Sequence, residues 1–311
     1  MFCMRASLYP TMNEPCQLCP HRCGVRRGLG ELGCCQAGTE PRVGRAALHE
    51  WEEPPISGTQ GSGTVFFGHC SLRCVYCQNS VLSRGEVGET ISIEELAVEF
   101  CRLQKLGAHN INLVTPTHYV PQIIEALKVA RNEGLHLPIV YNTSGYELPE
   151  TIELLDGFVD IFLTDFKYKD ETIAQTWSNA PGYYEHALIA LDAMVGLVGK
   201  VSFDEAGIMQ RGVLVRHLLL PGMLSDSYDI VKELHNRYGS LITLSLMGQY
   251  TPCRIIKKFP LLNEKVSHSD YESLLNYADA LGVENYFWQT EGAAQESFIP
   301  DFSGFRKRGI T

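Results

Sequence analysis

The stretch that decides the fold runs from residue 64 to residue 77: Thr64-Val65-Phe66-Phe67-Gly68-His69-Cys70-Ser71-Leu72-Arg73-Cys74-Val75-Tyr76-Cys77. Its opening is β-branched and aromatic and stops at glycine, which predicts a strand over 64–68. Two residues later come three cysteines spaced C-x3-C-x2-C. Outward from this point, helical and strand-like segments alternate. A helix is expected over 92–106, with Ser92 as N-cap and Glu95 at the capping-box position. Its apolar Leu96, Phe100 and Leu103 recur at helical spacing. Strands are expected at 110–114, 139–141, 159–163, 213–220 and 241–247. Helices are expected at 119–133, where Pro121 falls in the first turn, and at 149–155, 186–198, 227–238 and 270–281. Repeated βα units imply parallel strands joined by right-handed crossovers. Pattern alone fits either a doubly wound sheet or a barrel, and in both a ligand sits at the carboxyl ends of the strands.

The whole chain has 311 residues, 45% of them hydrophobic and 20% charged, which excludes disorder as its main state. Lys plus Arg total 26 against 36 Asp plus Glu, a net charge of -10, which argues against nucleic-acid binding as the main activity. The basic run Arg306-Lys307-Arg308 reads as a solvated tail. No run reaches the roughly 18 apolar residues of a membrane span. Met1-Phe2-Cys3-Met4-Arg5 lacks the apolar core and cleavage site of a secretion signal, so a cytoplasmic location is expected. Of 11 cysteines, nine fall in the first 77 residues: Cys3, Cys16, Cys19, Cys23, Cys34, Cys35, Cys70, Cys74 and Cys77. A disulfide scaffold would be short and secreted, so this clustering points to metal binding. In such a compartment Asn142-Thr143-Ser144 is an ordinary loop and not a glycan acceptor. Composition divides the chain into a Cys-, Gly- and Pro-rich metal-binding extension (1–62) and a βα region (63–311). Residues 58–63 lack the Gly-Lys of a phosphate loop and read as a turn.

Three thiolates on one loop can hold three irons of a four-iron cluster, which ordinarily takes four cysteines. The open iron then suits the amino and carboxylate groups of S-adenosylmethionine (SAM), and cluster, sulfonium and an electron together generate a carbon radical. A zinc knuckle is the plainer alternative, but only His69 offers itself as a nearby fourth ligand.

With Tyr76 before its last cysteine, the loop resembles the signature of the radical SAM superfamily. The string Cys74-Val75-Tyr76-Cys77-Gln78-Asn79, residues 107–147, 159–168 and 216–222, and Gln249-Tyr250-Thr251-Pro252 are similar to a narrower branch, the proteins related to pyruvate formate-lyase activating enzyme. The resemblance spans nearly the whole chain. It implies an α/β fold, a partial (β/α)6 TIM-like barrel carrying a [4Fe-4S] cluster on Cys70, Cys74 and Cys77.

By the same resemblance, Asp165-Phe166-Lys167 matches a cofactor-contacting Asp-Leu-Lys, whose carboxylate and ammonium suit the SAM amino acid. A surface ion pair is the bland alternative. Tyr76 would pack on the adenine or be a half-buried loop tyrosine, and Gln78 joins the cofactor set. Where most radical enzymes have Gly-Gly-Glu, this chain has Thr115-Pro116-Thr117-His118, so Thr115 and Thr117 are implied substitutes; Thr117 reads equally as a helix cap. Asn142 and Ser144 would meet the ribose or simply make a turn. After the sixth strand Gln249-Tyr250 replaces a cofactor-contacting histidine. Arg216 pairs with a carboxylate, from the cofactor or the barrel, and His217 reads as a packed strand residue. No catalytic side chain is assigned beyond the cluster ligands.

Cys16, Cys19, Cys23 and Cys35 supply four thiolates for Zn²⁺ or a second iron–sulfur cluster, with Cys34 as the variable neighbour in the resembled motif. The implied activity is reductive SAM cleavage to a 5′-deoxyadenosyl radical, driven by flavodoxin or ferredoxin. The implied substrate is a glycine of a glycyl-radical enzyme partner. The alternatives are a radical SAM enzyme acting on a small molecule or peptide, and a non-enzymatic iron–sulfur or zinc protein.

Overall fold

The structure, a computed structural model, describes residues 13–289 and Phe302. The readings of Met1 to Arg5, including Cys3, and of the basic run 306–308 lie outside the described residues. The first half contains β1 (Arg42–His49), α1 (Pro54–Ser57), β2 (Ser62–Phe67), α2 (Ser80–Ser83), β3 (Glu89–Thr90), α3 (Ile93–Lys105), β4 (Ile111–Val114), α4 (Val120–Asn132), β5 (Ile139–Thr143) and α5 (Pro149–Glu153). Then come β6 (Ile161–Asp165), α6 (Glu171–Ser178), α7 (Tyr183–Val198), β7 (Ser202–Phe203), β8 (Met209–Leu218), α8 (Leu224–Tyr238), β9 (Ile242–Met247), α9 (His268–Leu281) and β10 (Tyr286–Trp288).

The sheet order is β10-β9-β8-β6-β5-β4-β2-β1-β3, with β7 as a hairpin on β8. From β2 to β10 the neighbours on this path are parallel. β1 adds to β2 antiparallel. This is the partial barrel and not a doubly wound sheet: strand order runs one way, with no reversal at which a crevice would open.

Parallel strands covered on both faces must be apolar on both, and β2 and β5 are buried along their whole length. The alternation of the strand sets which layer each residue joins. Ile139, Tyr141, Phe162, Val213 and Val215 join the large core under the helices. Val140, Ile161, Leu163 and Leu214 join a second, smaller cluster with Ile56 from α1. The same register carries Asn142, Asp165 and Arg216 onto that inner face, one step nearer the carboxyl ends. α3 shows how the outer layer is secured. The reciprocal Ser92–Glu95 capping box starts it, and Leu96, Phe100 and Leu103 are fully buried. Each such side chain contributes about 2 kcal/mol relative to exposure.

The expected helices and strands are present, with shifted ends. β2 starts at Ser62, and β8 starts at Met209 because its first residues pair with β7. β1 departs from the composition boundary at residue 62. Arg42-Val43-Gly44-Arg45-Ala46-Ala47-Leu48-His49 has no clean two-residue alternation, yet it belongs to the sheet. The described part of the extension outside the sheet is therefore 13–41. Residues 58–61 form the expected turn into β2, with Gly58 and Gly61 at positive φ. No helix among the described residues is long and apolar enough to cross a membrane.

Candidate active site

A cavity of about 280 Å³ opens at the carboxyl ends of the parallel strands. Cys70, Cys74 and Cys77 all line it, opposite Asp165, Lys167 and Arg216. The loop that carries the cysteines is gripped through its main chain. Arg73 N donates to Ser178 O at 2.9 Å and Val75 N to Trp177 O at 2.7 Å. The Arg254 guanidinium donates to Val75 O at 2.6 and 3.1 Å. A side-chain relay runs beneath it: Tyr76 Oη meets Tyr168 Oη, Tyr168 Oη lies 2.6 Å from Ser178 Oγ, and Ser178 Oγ donates to Cys74 Sγ at 3.0 Å. Burial pushes the Cys70 and Cys74 thiols above their ordinary range; Lys167 pulls the other way at both.

Across the cavity the inner strand face presents a closed charge network. Lys167 Nζ lies 2.6 Å from Asp165 Oδ2, and Arg216 Nε 2.9 Å from Asp165 Oδ1. Arg216 also donates to Glu52 Oε2 at 3.2 Å and to Asn142 Oδ1 at 2.6 Å. Burial alone would raise the Asp165 carboxyl, but Arg216 and Lys167 hold it below its usual value. Its charge is thus fixed, and Asp165 and Lys167, each 18% exposed, are no surface pair. Gly145 permits this approach: a Cβ there would stand 2.2 Å from Asp165 O, and its φ of 79° suits glycine.

Two non-glycine residues at positive φ flank the cavity mouth, His69 just before Cys70 (φ 70°) and Thr115 just after β4 (φ 59°). Such strain, costly for a β-branched threonine, gathers at functional sites.

The donor set fits a three-cysteine cluster, because three soft thiols share one cavity with room for a further ligand on the fourth metal atom. Among the described residues, no three His, Cys, Asp or Glu side chains are gathered around a point as for a single ion. A family model described as the radical SAM superfamily matches residues 64–206, the span that starts in β2 and carries the whole three-cysteine loop. Over that span the chain is similar to the radical SAM superfamily. It is 26% identical over 289 residues to an uncharacterized protein of Methanocaldococcus jannaschii, covering 90% of this chain and 79% of that one. It is 29% identical over 199 residues to a pyruvate formate-lyase-activating enzyme of Clostridium pasteurianum, covering 61% and 74% respectively. Among solved structures, a radical SAM methyltransferase from Sphaerobacter thermophilus shares the fold, with a TM-score of 0.52 and 16% identity over 75% of this chain and 67% of that one.

In this chain the cavity gathers Tyr76, Gln78, Thr115, Asn142, Ser144, Asp165 and Lys167, together with Gln249 and Tyr250. Thr117 stands apart. It is buried in a 3-10 turn before α4, and its hydroxyl donates to Glu147 Oε1 at 2.6 Å. His217 is packed as expected, with Nδ1 2.7 Å from Phe166 O and Nε2 2.8 Å from Ser227 Oγ.

Sequence reasoning missed two acids. Glu52 precedes α1 in chain order yet reaches inside the barrel, where Asn112 Nδ2 donates to it at 3.1 Å; no spacing rule connects it to Arg216. Glu147 is fully buried, with hydroxyl groups from Thr117, Thr143 and Tyr141 all on Oε1 and no partner on Oε2 among the described residues. Burial raises its carboxyl from 4.5 to about 7, although those hydroxyls pull it down. The folded chain therefore keeps a proton that the unfolded chain has lost between these values. Its contribution to stability is complete below 4.5 and falls away as pH rises through about 7, by about 3 kcal/mol in all. Glu147→Gln should flatten the difference in thermal midpoint between pH 5 and pH 8; an unchanged slope in the variant would reject this assignment.

Proposed function

We propose that this radical SAM enzyme cleaves SAM reductively and abstracts a hydrogen atom from a substrate, with a backbone glycine of a partner enzyme as the favoured target. The observation that carries the reading is the single cavity shared by the three loop cysteines and the Asp165–Lys167 pair. Cys70, Cys74 and Cys77 would hold a [4Fe-4S] cluster. When bound, the reduced cluster and SAM together supply a 5′-deoxyadenosyl radical.

The chain's own residues then have distinct tasks. Lys167 offers an ammonium to the SAM carboxylate, and Asp165 accepts from its amino group. Tyr76, held by Tyr168 and edge-on to Tyr250 at 6.0 Å, offers a ring for the adenine. Asn142, Ser144, Gln78 and Thr115 supply hydroxyl and amide partners for the ribose and amino acid. Val114, Leu218, Leu220 and Met247 line the cavity with groups that leave a C–H substrate in dry surroundings. The glycine target rests on likeness to the activating enzyme of Clostridium pasteurianum.

Anaerobic reconstitution, reduction with dithionite in the presence of SAM and assay for 5′-deoxyadenosine test the chemistry. Deuterium transfer from a labelled glycine, against transfer from a free metabolite or peptide, tests the target. Absence of both 5′-deoxyadenosine and any spectral response to SAM would turn the reading toward a metal-binding protein without enzymatic activity.

The electron donor has its own supporting surface. A second groove, of about 430 Å³, shares Leu72 and Cys74 with the cavity and is lined by Arg73, Arg84 and Arg254. On a chain of net charge -10, a basic groove touching a cluster ligand suits a small acidic electron carrier such as flavodoxin or ferredoxin. Arg84→Glu should slow flavodoxin-driven SAM cleavage about tenfold at low ionic strength and leave dithionite-driven cleavage unchanged. Equal effects on both would place the donor elsewhere.

A further inference from the structure

Among the described residues Arg27 is a cation with no anion. It is only 6% exposed, and none of the ion pairs among the described residues includes it. Its Nη1 donates to His118 O at 2.5 Å, and its Nε has no partner among the described residues. Its Nη2 lies 3.3 Å from Cys16 Sγ and 3.7 Å from Cys35 Sγ. A buried guanidinium without a counter-charge costs several kcal/mol, and neutral thiols do little to offset it. Thiolates would, and thiolates are what metal binding makes of these side chains.

The backbone brings the other two cysteines to the same place. Gly24 N donates to Cys16 O, Cys16 N to Val25 O and Arg22 N to Cys19 O, which folds 16–25 into a closed loop. Cys23 Sγ lies over Gly33, where a Cβ would stand 2.4 Å from the sulfur. Of the adjacent pair, Cys35 is buried toward Arg27 and Cys34 is exposed.

We propose that Cys16, Cys19, Cys23 and Cys35 form a second, all-thiolate metal centre, for Zn²⁺ or iron, with the Arg27 guanidinium as its counter-cation. An all-thiolate set selects thiophilic metals over Mg²⁺ or Ca²⁺. Both candidate occupants give an anionic centre, which supplies the charge that Arg27 lacks. The thiols are not drawn around one point, and neither are Cys70, Cys74 and Cys77, so loading would tighten the loop.

The centre would act as a clasp on the radical SAM loop. His21 Nε2 lies 2.9 Å from Ser71 O, and Arg73 Nη2 donates to Cys34 O at 2.9 Å. Arg27 holds His118 O, and His118 Nε2 lies 2.8 Å from Gly68 O, two residues before Cys70. Burial keeps His118 neutral at physiological pH, so Nε2–H is its donor.

The test is metal analysis of a chain in which Cys70, Cys74 and Cys77 are all alanine, so that the outcome is independent of SAM cleavage. After growth with zinc, or anaerobic reconstitution with iron and sulfide, this chain should retain zinc or iron. Sulfide content tells a cluster from a single ion, and either result supports the site. Further substitution Cys19→Ser or Cys35→Ser should remove the metal, Cys34→Ser should not, and Arg27→Met should speed its release to a chelator at least tenfold. Should a variant misfold, alkylation of the otherwise native chain gives the same answer: Cys16, Cys19, Cys23 and Cys35 should be protected with metal and modified after chelation, with Cys34 modified in both. No retained metal, or loss that does not depend on Cys19 and Cys35, overturns the proposal.

Discussion

Replacing Cys74 with serine is expected to reduce 5′-deoxyadenosine formation to background while the chain stays folded. Cys74 is closely built into the site: burial raises its thiol, Lys167 opposes that, and Ser178 Oγ donates to its sulfur at 3.0 Å. A serine hydroxyl is a much harder, less acidic ligand than a thiolate, so a cluster held on the three loop cysteines would lose one protein attachment. The loop itself should hold, because its position depends on Ser178 O, Trp177 O and Arg254 bonding to main-chain atoms of residues 73 and 75. The paired readout is 5′-deoxyadenosine by chromatography and a thermal midpoint measured on the same preparation. Cleavage within tenfold of the native rate would show that Cys74 is not a ligand. A collapsed midpoint would show that the thiol is part of the structure first.

The second large effect concerns stability. Arg216→Met should cost about 3–5 kcal/mol, because it leaves buried carboxylates without their cation. One guanidinium serves Asp165, Glu52 and Asn142, and Arg216 and Glu52 are both largely withdrawn from solvent. Burial drives Glu52 upward in pKa and Arg216 opposes it, so removal of Arg216 should raise the Glu52 carboxyl further. The double variant Glu52→Gln/Arg216→Met should therefore recover part of the loss, a coupling that a double-mutant cycle measures directly. Urea midpoints at pH 7 for the four chains provide the test. A single-variant loss below 1 kcal/mol, or strict additivity, would mean that water and not Arg216 compensates these acids.

The parts of this molecule legible in the sequence are those written in local spacing. The capping box at Ser92 and Glu95, the amphipathic α3 and the apolar-rich strands are each marked by local pattern, and the structure places them within a few residues of expectation. The grouping of the three loop cysteines was legible in their local spacing, and all three line one cavity. β1 was not, since an irregular strand is decided by what it pairs with and not by its own pattern. Thr117 shows the same limit from the other side. Its place in a 3-10 turn aims the hydroxyl at a buried acid 30 residues away, and nothing in Thr-Pro-Thr-His announces Glu147. Glu52 is the extreme case, a charge behind the site separated by 164 positions from the arginine it meets.

The main-chain grip on the cysteine loop bears on how freely this stretch can drift. His21, Arg254 and the amides of Arg73 and Val75 all engage backbone atoms, which every amino acid supplies alike. Swaps at the letters between the cysteines leave those handholds in place. Insertion or deletion of one residue would move every handhold at once and swing a thiol out of the cavity. The motif is therefore expected to tolerate changes of spelling far better than changes of length, and for that reason it can be recognised by its gaps alone.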